Sequence, residues 1–278
     1  MKKKIRKPMF FILSILIVAI ILGCIPACTS KSPDSSADDA ESDIRPKYVA
    51  HKGYSRHAVE NTEKAFQAAA QMSFYGIETD IRRTHDKAFV CNHDVEVKYA
   101  DKSVLKIPSH DLDELLAKPL KNDKTSEEVY LCTFETYLAA CKAGNKMAVI
   151  ELKDYCDEDY MQDVLDIIDA KYDRKKVTFI SFNFSSLRSV KNLDPTIKLQ
   201  YLSQKKDDPI FESCLELGVS IDVRVTDVKE TILTAALIKT FHDAGLTVNV
   251  WTVNQEYDLQ RVTQMGVDFV TTDVFSGD

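Results

Sequence analysis

The sequence predicts an α/β protein built as a (β/α)₈ barrel, and three observations carry that prediction. From residue 47 onward, short β-rich runs alternate with amphipathic helical runs, and such alternation makes a parallel sheet. Eight strands fall in about 230 residues, close to the roughly 250 that a (β/α)₈ barrel uses. Polar residues gather at the carboxyl ends of those strands, where a barrel places its chemistry. A doubly wound open sheet is the structural alternative.

The candidate strands are 48–51, 76–81, 148–151, 177–181, 198–202, 219–222, 247–251 and 268–271. Between them, Met161, Val164, Leu165 and Ile168 recur at i, i+3, i+4 and i+7, the period of a helix with one buried face. Leu233, Ala236, Leu237 and Phe241 repeat much of that pattern, and Leu187, Val190 and Leu193 make a shorter stripe. Two features interrupt the repeat. Residues 87–92 read as an extra strand, a hairpin partner for the second one. Residues 95–130 are longer and more polar than a barrel loop needs, and predict a small insertion near the mouth. The chain ends soon after the last strand, so the helix expected there is missing or only a turn long, and another segment must cover that face.

The N-terminus predicts targeting rather than fold. Lys2, Lys3, Lys4, Arg6 and Lys7 precede an apolar run from Met9 to Cys28, the layout of a secretory signal. The run is also long enough to span a bilayer, so an uncleaved anchor is the alternative. Ile21-Leu22-Gly23-Cys24 resembles a bacterial lipoprotein box, which nominates Cys24 for lipidation; Cys28 competes but follows a proline-containing stretch. Residues 29–46 have almost no apolar content and read as a flexible tether. The expected organisation is a signal or anchor over 1–28, a tether over 29–46 and a catalytic domain over 47–278, outside the cytoplasm and held at the cell membrane.

Composition narrows the partners. The 278 residues carry 36 basic against 43 acidic side chains, a net charge of −7. With five of the basic residues in the leader, the folded part is more acidic still. Nucleic-acid binding by phosphate neutralisation is therefore not expected, and any attraction for a phosphate must be local. The cysteines beyond the leader (Cys91, Cys132, Cys141, Cys156 and Cys214) are odd in number and lack metal-ligand spacing. They predict core thiols rather than a disulfide framework.

The strand ends supply the candidate chemistry. Glu78 and Asp80 lie two apart on one strand and so share a face. Glu-x-Asp alone is common on solvated strand edges, but inside a barrel mouth acidic side chains are costly without a cation. Glu151, on the neighbouring strand, adds a third oxygen ligand. Three carboxylates suit a hard divalent ion, Mg²⁺ or Ca²⁺. His51 and His93, at two further strand ends, are placed as general acid and general base. Lys52 and Lys153 can neutralise a phosphate.

Taken in order, these pieces resemble the glycerophosphodiester phosphodiesterase family. The motifs are His51-Lys52-Gly53, Val59-Glu60-Asn61-Thr62, Glu78/Asp80, His93-Asp94, Glu151/Lys153, Ser181-Phe182, Trp251-Thr252-Val253-Asn254 and Thr272-Asp273. They cover nearly the whole folded part, and their ordered set is far more specific than any one of them. The resemblance implies that His51 and His93 are the acid–base pair and that Glu78, Asp80 and Glu151 hold the metal. It implies that Lys52, Lys153, Glu60 and Asn61 shape the substrate site, with Trp251 lining the alcohol pocket or serving as a barrel-core aromatic. Two positions depart from the family: Lys52 stands where it has arginine, and Val59 where it often has proline. The implied reaction is hydrolysis of a small phosphodiester to an alcohol and glycerol 3-phosphate. The rival expectations are a lysophospholipase D or phospholipase-C-like enzyme acting on membrane lipids, and a non-catalytic lipoprotein that binds phosphodiesters.

Overall fold

The computed structural model describes residues 45–124, 126–225 and 232–277. The expected leader, its Cys24, and most of the tether lie outside the described residues. Among those residues, no helix is long and apolar enough to cross a membrane.

The strands, in chain order, are β1 (Lys47–Ala50), β2 (Gly76–Arg83), β3 (Phe89–Cys91), β4 (Glu96–Lys98), β5 (Val104–Lys106), β6 (Cys132–Thr133), β7 (Met147–Leu152), β8 (Val177–Ser181), β9 (Lys198–Ser203), β10 (Ser220–Arg224), β11 (Val248–Trp251) and β12 (Phe269–Thr272). The helices are α1 (Glu63–Gln71), α2 (Leu112–Leu116), α3 (Phe134–Ala143), α4 (Glu158–Lys171), α5 (Phe184–Leu193), α6 (Ile210–Leu217), α7 (Ala235–Asp243) and α8 (Glu256–Met265). Strands β1, β2, β7, β8, β9, β10, β11 and β12 pair in parallel, and β1 pairs with both β2 and β12, so the sheet closes. This is the expected eight-stranded barrel, not the open sheet.

The expected extra strand is β3, antiparallel to β2, with Ile81 opposite Cys91 and Arg83 opposite Phe89. That hairpin carries β2 to Arg83, past the end at residue 81 that the sequence suggested. The insertion folds as a β4–β5 hairpin and the short α2 around its own small core of Val90, Val97, Tyr99, Ile107, Leu115 and Leu131.

Side-chain caps start the helices: Thr62, Thr133, Asp157, Asn183 and Thr234 each accept a backbone N–H of the first turn. In α4, Met161, Val164, Leu165 and Ile168 are all buried, as their spacing predicts. The stripe assigned to α7 needs correction. Thr234 caps that helix, so Leu233 is buried ahead of it, Ala236 faces solvent, and Ile238 with Phe241 makes the buried face. No helix follows β12 among the described residues. Phe275 packs on the main core, and Gly277 lies beside Ser73 and Tyr48. The five cysteines beyond the leader are all buried and unpaired.

The barrel interior divides. Val49, Val149, Ile180 and Leu202 form an apolar half, with Trp251 packed against it. Gln200, Asp222, Asn249 and Thr271 form a buried polar half.

Candidate active site

A cavity of about 190 Å³ opens at the carboxyl ends of the barrel strands, lined by His51, Lys52, Glu78, His93, Glu151 and Lys153 among others. A larger one, about 310 Å³, lies among the loops at the opposite end; its lining holds no histidine or carboxylate, so the smaller cavity carries the chemistry.

Strand geometry assembles the acidic cluster. Glu78 and Asp80 project from one face of β2, and parallel register sets Asp80 beside Glu151 of β7. All three are buried, and one oxygen from each lies within 4.8 Å of the others. Asn61 is spent on this cluster: its amide donates to Asp80 Oδ2 (2.8 Å), and its carbonyl accepts from Thr79 Oγ1 (2.8 Å) and the Asp80 N–H (3.3 Å). Among the described residues, Asp80 Oδ1 is buried with no hydrogen-bond partner, although the Lys153 ammonium is 3.4 Å away. Lys153 also sits 2.8 Å from Glu151 Oε1.

The charges conflict. Burial, joined by the like charges of Asp80 and Glu151, pushes the Glu78 carboxyl well above the usual range. Burial and then Asp80 push Glu151 up to about 7. Burial works to raise Asp80 too, but Lys153 and Lys52 outweigh it and hold that carboxyl below its ordinary value. A divalent cation resolves this conflict by reversing the sign of the local field. The all-oxygen donor set and the unpartnered Asp80 oxygen fit a hard ion. Glu78, Asp80 and Glu151 are therefore the residues that would hold one.

Lys52 turns its backbone onto the same cluster. Its N–H donates to Glu78 Oε2 (2.7 Å), and its ammonium is 3.3 Å from Glu60, whose side chain is half exposed. Burial opposes the lysine charge, yet Asp80, Glu60 and Glu78 raise its pKa. Gly53, which follows, has φ +77°, and a Cβ there would sit 2.7 Å from the Ala65 carbonyl carbon. Only glycine lets the His51 loop pass this close to α1.

The two histidines are held differently. His51 Nδ1 lies 2.8 Å from Asp273 Oδ1. An ionised carboxylate can only accept, so Nδ1 carries the proton and Nε2 is left for chemistry. Asp273 also accepts from Ser55 Oγ (2.8 Å) and Asn254 Nδ2 (2.6 Å). Burial opposes its charge, but the His51 bond, with Asn254 and Ser55, holds its carboxyl well below the usual range. His93 Nδ1 lies 3.0 Å from Asp94, and Arg82 fixes its backbone by donating to the His93 carbonyl from Nε and Nη2 (3.0 and 2.7 Å). Arg82 is itself paired with Asp154 at 2.6 Å. Asn254 and Asp273 stand in the sequence motifs without an assigned role, and Arg82 and Ser55 stand in none of those motifs. For Arg82 the available signal was its place two residues beyond Asp80 on the same strand face.

At the rim, Trp251 meets Phe182 edge-on, with ring centroids 5.7 Å apart. Its position reconciles both expectations, since it lines the cavity and also packs on the apolar interior cluster.

Residues 51–276 match the model of the glycerophosphoryl diester phosphodiesterase family. The chain belongs to that family. Membership makes it an enzyme of the phosphoric diester hydrolase class. A glycerophosphodiester phosphodiesterase of Caldanaerobacter subterraneus subsp. tengcongensis is 26% identical over 233 residues, covering 81% of this chain and 93% of its own. The crystal structure of a glycerophosphodiester phosphodiesterase from Parabacteroides distasonis is 26% identical with a TM-score of 0.66, covering 83% of this chain and 93% of its own. An Oleispira antarctica phosphodiesterase, solved with the product sn-glycerol-3-phosphate, shares the fold at a TM-score of 0.72 and 21% identity, over 82% of this chain and 93% of its own.

Proposed function

We propose that the chain hydrolyses glycerophosphodiesters to an alcohol and glycerol 3-phosphate, with a divalent ion, Mg²⁺ or Ca²⁺, held by Glu78, Asp80 and Glu151. The observation that carries this reading is the convergence of that buried triad, two histidines and two lysines on one cavity. Membership of the family supports the substrate class, as does the product bound in the Oleispira relative.

The ion, when bound, supplies Lewis-acid polarisation of a phosphoryl oxygen. The chain's residues do the rest. Lys52 and Lys153 draw in and neutralise the phosphate. His51, with Nδ1 held by Asp273, presents Nε2 to take or give a proton, and His93, braced by Arg82 and Asp94, does the converse. Together they take a proton from the attacking oxygen, that of water or that of the neighbouring glycerol hydroxyl with water then opening the cyclic diester, and give one to the departing alkoxide. The test is a product assay on glycerophosphocholine and glycerophosphoethanolamine, with and without added divalent metal. Release of choline or ethanolamine together with glycerol 3-phosphate is expected. Binding without turnover on either substrate would make the chain a phosphodiester-binding protein instead.

Lys52 gives a second expected result. A lysine neutralises the same unit charge as arginine but lacks the planar fork that grips two phosphate oxygens. Lys52→Arg should keep or modestly raise turnover on glycerophosphocholine, whereas uncharged Lys52→Met should lower it strongly. A fall in turnover with Lys52→Arg would show that the pocket is shaped around lysine for another substrate.

We further propose that Cys24 is lipidated and holds the domain at the outer face of the cell membrane. The apolar leader ending in Gly23-Cys24 and the polar tether behind it support this. Cys24→Ala should abolish acyl labelling in the native host and Cys28→Ala should leave it intact; labelling that follows Cys28 instead would relocate the anchor.

A further inference from the structure

The insertion near the barrel mouth leaves the main fold and returns to it through a narrow neck. It departs from β3, which ends at Cys91, and comes back at β6, which begins at Cys132; β4, β5 and α2 lie between. The neck is an antiparallel pairing of two residue pairs, Val90 with Thr133 and Cys91 with Cys132. It also separates two cores. Val90 and Leu131 belong to the insertion's small cluster, whereas Cys91 and Cys132 belong to the main one. His93 stands two residues beyond Cys91, so whatever secures the neck also secures the strand that leads to His93.

The register brings two thiols together. Residues opposite one another on antiparallel strands share a face. Their Cα atoms lie about 4.5 or 5.5 Å apart, within the roughly 4.4–6.8 Å that a disulfide spans. Both side chains approach one acceptor: the Thr133 carbonyl accepts from Cys91 Sγ at 3.7 Å and from Cys132 Sγ at 3.5 Å. Hydrogen bonding to Cys91, and then burial, pushes the Cys132 thiol far above its ordinary value. Among the described residues, no other strand pair sets two cysteines opposite each other. A thiol reacts as its thiolate, and at 0% and 3% exposure neither residue is open to a reagent once the neck is packed. A bond here is therefore made while the chain folds and is sealed afterwards.

We propose that Cys91 and Cys132 are a modification site: they join in a disulfide when the chain folds in the presence of a disulfide-bearing oxidant, stapling the insertion at its neck. One protein thiolate attacks the oxidant's S–S bond and expels one of its sulfurs. The second protein thiolate attacks the resulting mixed disulfide at the protein sulfur and expels the other. Two electrons pass to the oxidant, and the two protons given up by the cysteines end on its two thiols. Such bonds persist in oxidising compartments, a setting that the outer-face location proposed above supplies. The ring so closed runs from residue 91 to residue 132, and closing a loop of that length restricts the unfolded chain.

The full chain is made by cell-free synthesis in detergent micelles, once in an oxidised/reduced glutathione buffer with a disulfide isomerase and once in dithiothreitol. Free thiols are alkylated, and digests are mapped by mass spectrometry. The oxidised sample should yield a peptide pair joined through Cys91 and Cys132, lighter by two hydrogens than its reduced parts, with Cys141, Cys156 and Cys214 alkylated. Its thermal midpoint should exceed that of the reduced sample by at least about 5 °C. That comparison uses the wild-type chain in both states, so it needs no variant to fold. Cys91→Ala and Cys132→Ala should each abolish the joined pair and the difference between the two buffers. No joined pair in the oxidised sample, or Cys91 bonded to Cys141 instead, would overturn the assignment. A joined pair whose midpoint is no higher than that of the reduced chain would overturn the staple, because the bond would then be foreign to the native neck.

Discussion

Replacing His51 or His93 by alanine should each lower kcat on glycerophosphocholine by at least about 10²-fold, within the 10²–10⁴-fold that a positioned acid or base contributes. Both side chains line the cavity, and each has its Nδ1 tied to a carboxylate, leaving Nε2 for the reacting groups. The loss should appear in kcat, because proton transfer is felt in the transition state rather than in binding. Far-UV circular dichroism should show the fold intact. The remaining described histidines serve as controls. His57 packs against the Tyr54 ring, His85 pairs with Asp111, His110 with the Lys106 carbonyl and His242 with Asp268; none of them lines the cavity. Their alanine variants should keep most of the activity. A change confined to KM in His51→Ala and His93→Ala would demote both histidines to binding groups.

Exhaustive chelation should abolish turnover, and Mg²⁺ or Ca²⁺ should restore it. The reason is the sign of the charge at the cavity. Fully ionised, Glu78, Asp80 and Glu151 outweigh Lys52 and Lys153, so the site repels a phosphodiester anion; a divalent cation tips the balance to positive. Binding should also be visible without an assay of activity. A ligand that binds only the folded chain stabilises it by about 2.7 kcal/mol at 100 times its Kd, and thermal unfolding should shift upward accordingly. Glu78→Gln and Glu151→Gln each remove one negative ligand and should lose both the shift and the turnover. Full activity after chelation, or a thermal shift that persists in both variants, would sink the assignment of the triad as a metal site.

The Asp273–Asn254–Ser55 group and Arg82 change how the histidines are to be understood. Removing the carboxylate in Asp273 takes away what fixes the His51 tautomer, and removing Arg82 frees the backbone that carries His93. Neither residue lines the cavity; each acts through a histidine. They are positioning residues.

The sequence by itself determined what local periodicity and order along the chain can determine. Alternation of strand and helix named the barrel. A spacing of two put Glu78 and Asp80 on one face, because a strand repeats every second residue whatever surrounds it. A helical repeat picked out the buried face of α4 for the same reason. The ordered motifs then tied His51, Glu151 and the lysines to one mouth, since parallel strands all end on the same side, while His93 joins them because antiparallel β3 runs back from the tip of β2. Tertiary structure decided the rest, and in each case the cause is a contact between residues distant in the chain. Asp273 meets His51 across a separation of 222 residues only because β12 closes the barrel against β1. Arg82 reaches the His93 carbonyl because the β2–β3 hairpin folds back on itself. Asn61, expected to shape the mouth, turns its amide onto Asp80, a contact across 19 residues of chain. Asp222 reads in the sequence as one more strand residue. Its carboxyl meets the Asn249 amide only because β10 and β11 pair side by side, with Asp222 opposite Asn249.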